Sequence, residues 1–261
     1  MNFMINHIPE RTSGERDFGL TMMMDKGLSL KEAENYIESS APYTDLVKFG
    51  FGTALITRDL KEKVGLYKSA GLKPYFGGTL FEMFFVRGQF DDYRRFVEES
   101  GLEVVEVSDG TVKMSHDEKL ECIRTMANDF QVLSEIGSKV KGVELSNELW
   151  VSNMKTELKS GAWKVIAEAR ESGTIGIYDS EGKANRELID DIMKEISVND
   201  VLWEAPIKSQ QTMFIKLLGA NVNLGNIAPN EVVSLEALRC GMRGDTFFDV
   251  LPEKFQSRKQ Q

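Results

Sequence analysis

Four glutamates, Glu106, Glu135, Glu168 and Glu204, each follow two or three mostly apolar residues in a chain of 261. Such runs belong to buried strands, where a carboxylate is costly unless it is protonated, paired or bound to a metal. Four of them on neighbouring strands would repel one another, so cations must be interleaved. Lys48 sits in another apolar run, Lys26 follows a further one, and Lys139 and Arg170 lie just beyond Glu135 and Glu168. A divalent metal is the other candidate, and an all-oxygen donor set favours Mg2+ over zinc. His7 and His116 are the only histidines, and no Cys-x-x-Cys accompanies them. That scarcity disfavours zinc and equally sets aside Ser-His-Asp and Cys-His catalysis. Structural ion pairs without a metal would account for the same charges, so both readings stand at this level.

Charges at strand ends need a scaffold that sets those ends side by side. Apolar runs begin near Leu20, Asp45, Lys73, Val104, Val132, Val165, Val201 and Val222, at intervals of 21 to 36 residues. A strand, a loop and a helix together take about 25 to 35 residues, which fits a repeated βα unit. The stretches between the runs have helical spacing and helical punctuation. Ser29 with Glu32 makes a capping box, and the run from Arg58 stops at Gly71. Further helices are expected over 89–100, 115–128, 147–160, 185–196 and 210–218, and a last one from Pro229 to about Cys240. Phe81, Phe84 and Phe85 are read as packing residues of a loop or helix, and Met22, Met23 and Met24 as barrel packing. Eight such units in one chain, with no central break, predict a single-domain (β/α)8 TIM barrel rather than an open doubly wound sheet. The barrel is expected over 18–250, with an N-terminal extension at 1–17 and a C-terminal tail at 251–261 that frays from Gln256.

In such a barrel, chemistry collects at the carboxyl ends of the strands, and Glu106, Glu135, Glu168, Glu204, Lys48 and Lys26 all fall there. Glycines follow several strand ends, at Gly50 and Gly52, Gly77 and Gly78, and Gly173. They would let backbone N–H groups approach an anion. The loop after the last strand carries Gly225 and Asn226 and leads into a helix, where barrels often bind phosphate. No GxGxxG or Walker A pattern is present, so a nucleotide is not expected. The net charge of −9 and the pI near 5.0 exclude a general nucleic-acid binder. No targeting segment and no apolar run of about 18 residues is found, so neither export nor a membrane span is expected. Cys122 and Cys240 read as reduced, buried thiols, and the protein as cytoplasmic.

The motifs together resemble the phosphosulfolactate synthase family. The runs Gly19-Leu-Thr-Met-Met-Met-Asp-Lys-Gly27, Lys48-Phe-Gly-Phe-Gly-Thr53, Gly77-Gly-Thr-Leu-Phe-Glu82 and Ser108-Asp-Gly110 come in that family's order. So do Glu135-Ile-Gly-Ser-Lys139, Glu168-Ala-Arg-Glu-Ser-Gly173, Glu204-Ala-Pro206, Asn221-Val-Asn-Leu-Gly-Asn-Ile227 and Leu238-Arg-Cys-Gly-Met-Arg-Gly-Asp-Thr246. The resemblance implies a barrel that adds sulfite to phosphoenolpyruvate with Mg2+, giving (2R)-phospho-3-sulfolactate for coenzyme M biosynthesis or sulfolactate formation. Lys139 matches the second lysine of the family's Glu-Val-Gly-Lys-Lys run and is expected to be the acid that protonates C2. Glu135 and Glu168, with Glu106 or Glu204, are expected to hold the metal directly or through water. Lys26, Lys48, Arg170 and the backbone near Gly225 and Asn226 would neutralise phosphate and sulfite. Ser138 replaces the first lysine of the run, which removes one cation beside the site. Two other readings are a different Mg2+-dependent enolate reaction on a phosphorylated acid and a non-catalytic stress-associated homologue. The fold type also allows a homo-oligomer.

Overall fold

Side chains alternate across a strand, so in a closed sheet every second residue faces the axis. That rule organises the computed structural model, which describes residues 2–137, 145–170, 172–174 and 176–259. Its strands are β1 (Thr21–Asp25), β2 (Leu46–Phe49), β3 (Lys73–Phe76) and β4 (Val104–Ser108), then β5 (Gln131–Ile136), β6 (Ala162–Ala167), β7 (Val201–Glu204) and β8 (Asn223–Ile227). All the ladders are parallel, and the sheet runs β3-β2-β1-β8-β7-β6-β5-β4. β3 and β4 lie side by side and bring the ring nearly to closure without a ladder between them among the described residues. This is the expected TIM barrel. Leu20, Met22, Leu46, Tyr75, Val104, Leu133, Ile166 and Leu202 form a separate buried cluster, the apolar floor inside the barrel. The alternate residues, such as Met23, Val47, Val105, Val132 and Trp203, pack outward into the layer shared with the helices.

The helices are α1 (Leu30–Ser40), α2 (Leu60–Ser69), α3 (Gly78–Phe85), α4 (Phe90–Glu99) and α5 (His116–Met126), then α6 (Asn147–Lys159), α7 (Arg186–Glu195), α8 (Lys208–Leu218) and α9 (Val232–Arg239). The Ser29 capping box is formed, and Ser115 with Glu118 makes a second one at the start of α5. β3 is followed by two helices. The first, α3, is only eight residues long and mostly apolar, a pattern that fits a loop as well as a helix in the sequence. Phe81 stacks on Phe85 and meets Tyr93 edge-on, so the aromatic run holds α3 against α4. β6 begins at Ala162 rather than Val165, since Trp163 and Lys164 interrupt the apolar run, and the β5–β6 register shifts beside Val132. Near the chain end Glu253–Arg258 form a short 3-10 helix, where the Gln256 side chain donates to Phe248 O.

The two ends of the chain meet at the amino-terminal face of the barrel. Arg239, with no exposed surface, donates to Leu20 O, Ala220 O and Val222 O. Burial and the nearby Arg11 pull its guanidinium down to about 9. Arg11 pairs with Glu236 at 2.9 Å, and Arg16 pairs with Asp45 at 2.9 Å. Among the described residues, no helix is long and apolar enough to cross a membrane.

Candidate active site

Two residues beyond the apolar floor, the same inward positions turn to charge. Lys48 follows Leu46, Glu106 follows Val104, Glu135 follows Leu133, Glu168 follows Ile166 and Glu204 follows Leu202. Period-two geometry therefore lifts all five side chains into one layer at the carboxyl ends of the strands. Lys48 stands among them, its Nζ 3.0 Å from Glu106 Oε1 and 3.3 Å from both Glu135 Oε2 and Glu204 Oε1. Burial works against the ammonium, but Glu106, Glu204 and Glu135 outweigh it and raise its pKa well above the usual lysine value.

The carboxylates have fixed partners of their own. The N–H of Gly78, at the start of α3, donates to Glu106 Oε1. A Cβ on Gly78 would come within 2.4 Å of Ser108 Cβ, so only glycine lets the helix approach this closely. The Ser108 hydroxyl lies 2.8 Å from both Glu135 Oε1 and Glu82 Oε1. The Ala169 N–H donates to Glu204 Oε2 at 2.8 Å. Glu204 is pushed up to about 7, chiefly by burial, with Glu135 and Glu106 adding to the rise and Lys48 opposing it.

Above this layer opens a cavity of about 370 Å3, lined by Lys48, Glu135, Glu168, Glu204, Arg170 and Asn226 together with Met24, Phe51, Gly77, Gly78, Thr79, Ala169 and Ser172. Arg170 is exposed on its wall. Lys26 is exposed just past β1, beside Gly50, and is not a lining residue. Asn226 adopts a left-handed backbone with φ 57°. Its Nδ2 donates to Ala169 O, while its buried Oδ1 has no hydrogen-bond partner among the described residues. Gly225 is inward but below the cavity. A Cβ there would meet Met22 and Leu202 at under 3 Å, so its lack of a side chain serves barrel packing. Glu106 stands behind Lys48 rather than on the cavity wall. Lys139 and Ser138 lie outside the described residues. No group of three or more His, Cys, Asp or Glu side chains is arranged around a metal position among the described residues.

Sequence reasoning missed Glu82 and Ser108 as members of the site. Ser108 is two residues past Glu106, so the inward period alone identifies it. Glu82 lies on α3, whose course was not legible. Cys122 and Cys240 are buried free thiols, each pushed up to about 11 chiefly by burial.

The raised Glu204 pKa has a thermodynamic consequence. The folded state holds this proton up to about pH 7, whereas a free carboxyl releases it near 4.5. Folding then binds the proton more tightly than the unfolded chain does, so this group's contribution to stability falls as pH rises across that window. In chelator-containing buffer, urea titrations of the wild type should show this fall, of up to about 3 kcal/mol. Glu204→Gln should flatten it, and parallel profiles for the two proteins would refute the assignment.

A nearly closed parallel barrel with a charged cavity at the carboxyl ends of its strands defines the class: a TIM-barrel protein with an enzyme-type site. The family model described as (2R)-phospho-3-sulfolactate synthase (ComA) matches residues 9–245. The chain is 46% identical over 235 residues to the phosphosulfolactate synthase of Methanocaldococcus jannaschii, covering 88% of this chain and 94% of that one. It is 40% identical over 253 residues to the phosphosulfolactate synthase of Bacillus subtilis, covering 95% and 100%. The chain belongs to the (2R)-phospho-3-sulfolactate synthase family, which is a family of enzymes. Solved structures at low identity agree on the fold alone. The Amycolatopsis orientalis BexX/CysO complex matches with a TM-score of 0.57 at 13% identity, covering 97% of this chain and 98% of that one. The 3-keto-L-gulonate-6-phosphate decarboxylase of Vibrio cholerae matches with a TM-score of 0.55 at 13% identity, covering 90% and 100%.

Proposed function

We propose that the chain is a carbon–sulfur bond-forming lyase that adds sulfite to phosphoenolpyruvate in a Mg2+-dependent reaction, giving (2R)-phospho-3-sulfolactate. The observation that carries this reading is the near-full-length match to phosphosulfolactate synthases. A cavity of about 370 Å3 is of the size that small ligands occupy.

The sulfite sulfur attacks the methylene carbon, the C–S bond forms, and the π pair moves toward C2 and the carboxylate as an enediolate. A proton delivered to C2 then completes the product. Positive charge on the cavity wall favours this step because the carboxylate becomes more negative as the bond forms. Arg170 at the wall and Lys26 beyond the rim would neutralise phosphate and sulfite. Lys48 would supply a fixed charge beneath the cavity. A lysine whose pKa is raised by three carboxylates gives up its proton poorly, so Lys48 serves as an electrostatic group rather than the acid. The proton is assigned to Lys139. For Mg2+, the cavity wall offers the carboxylates of Glu135 and Glu168 and the Asn226 Oδ1, which has no hydrogen-bond partner among the described residues, and such oxygens suit a hard cation. Bound there, the ion would add positive charge opposite the substrate carboxylate.

The test is incubation with phosphoenolpyruvate, sulfite and MgCl2, with products followed by phosphorus and carbon NMR. A sulfonate-bearing C3 with the phosphoryl group retained is the expected result. No phosphosulfolactate at high enzyme concentration would refute the proposal.

A further inference from the structure

Lys119 on α5 is 1% exposed, yet it lines no part of the cavity. A buried ammonium is retained only where its surroundings repay its lost hydration. Its Nζ meets three oxygens: Asp109 Oδ1 at 2.8 Å, the main-chain oxygen of Glu135 at 2.6 Å, and Glu157 Oε1 at 3.0 Å. Burial opposes the charge, but Glu157 and Asp109 raise the pKa above the ordinary lysine value. Glu157 on α6 is fully buried, and its other oxygen accepts the Ser134 hydroxyl at 2.6 Å. His116 faces the pair from the amino end of α5, 3.8 Å from Glu157. This one ammonium therefore joins α5, α6, the loop after β4 and the end of β5.

The neighbour of Asp109 is Ser108, which holds the side chain of the same Glu135. One short segment thus governs Glu135 twice, through its carboxylate by Ser108 and through its main chain by way of Asp109 and Lys119. The chain leaves β5 directly afterwards, at Gly137 with φ 141°, where a Cβ would meet Glu168 Cβ at 2.8 Å. A related arrangement serves the end of β1. There Lys63 on α2 pairs with Asp25 at 2.6 Å and donates to the main-chain oxygen of Leu28. In both places a buried helix lysine takes a main-chain carbonyl together with carboxylate, two for Lys119 and one for Lys63, at the point where a strand becomes a loop.

We propose that Lys119 is a positioning residue, fixing the carboxyl end of β5 against the loop after β4 so that Glu135 keeps its place beside the cavity. Its kinetic readout rests on the synthase activity proposed above, and amide exchange provides a readout independent of it. Removing Lys119 alone would strand a buried carboxylate, so the test is Lys119→Met/Glu157→Gln, which removes both charges at similar volume. Per folded molecule, kcat should fall by about tenfold or more with KM for phosphoenolpyruvate within about twofold, because misplacement of a site group slows the reacting step. Amides of 131–137 should exchange faster while those of β1 and β8 keep wild-type protection. Asp109→Ala removes the most exposed arm of the grip and should lower kcat by about threefold. Wild-type kcat and wild-type exchange at 131–137 in the folded double variant would overturn the proposal. Should the double variant not fold, wild-type kcat in Asp109→Ala would overturn it. Should the wild-type protein show no turnover, the synthase reading fails, and exchange at 131–137 alone then decides: faster exchange supports the positioning role and unchanged exchange refutes it.

Discussion

Lys48→Met is expected to cost about 3–5 kcal/mol of unfolding free energy, the usual penalty for removing one partner of a buried ion pair, and to leave under about 1% of the activity. The methionine would fill much of the same space but would leave Glu106, Glu135 and Glu204 facing an uncharged tip where an ammonium stood at 3.0, 3.3 and 3.3 Å. Three carboxylates so close cannot all remain ionised, so the folded variant takes up protons that its unfolded chain does not need. Its stability should therefore fall as pH rises, and the deficit against wild type should be larger at pH 8 than at pH 5.5. Urea denaturation at the two pH values measures this directly. A variant as stable as wild type at pH 8 would show that Lys48 is not what neutralises the layer.

Lys139→Ala is expected to separate chemistry from folding. Loss of a general acid lowers kcat by about 10^2 to 10^4. A change that removes only a proton donor should leave stability within about 0.5 kcal/mol. Steady-state kinetics beside thermal melts make the comparison, and an unchanged rate would remove Lys139 from the mechanism. If both results hold, the pair of variants would divide the site by the roles proposed above, Lys48 as a fixed charge that also stabilises the charged layer and Lys139 as the proton donor.

Much of this arrangement was readable in advance because strands obey a period of two. Once Glu106, Glu135, Glu168 and Glu204 are placed after apolar runs, they must share one end of a parallel barrel, and the structure puts them there. What the period does not convey is distance. That Lys48 would stand within ion-pair reach of three of the four depends on barrel closure, which links residues far apart in the chain. The helix carrying Glu82 was hidden for a different reason. Gly78–Phe85 is only eight residues long and mostly apolar, too short for its period to be told from that of a buried loop or strand. Gly225 drew notice as an anion-binding position, yet its constraint comes from Met22 and Leu202 pressing on it inside the barrel. The Lys119 and Lys63 grips were invisible because a lysine in an amphipathic helix looks solvated until the carboxylate beside it is known to be buried.

The clasp at the amino-terminal face bears on the order of events during synthesis. Arg239 holds the carbonyl of Leu20 at the threshold of β1, and Arg11 reaches back to Glu236 on the last helix. The β1–β8 ladder likewise needs Leu224 and Ile227. On the ribosome, therefore, β1 waits with one edge unpaired until β8 has emerged, seven strands later. Interrupted translation short of β8 should thus yield an open, edge-exposed sheet, the form of this protein most in need of a chaperone.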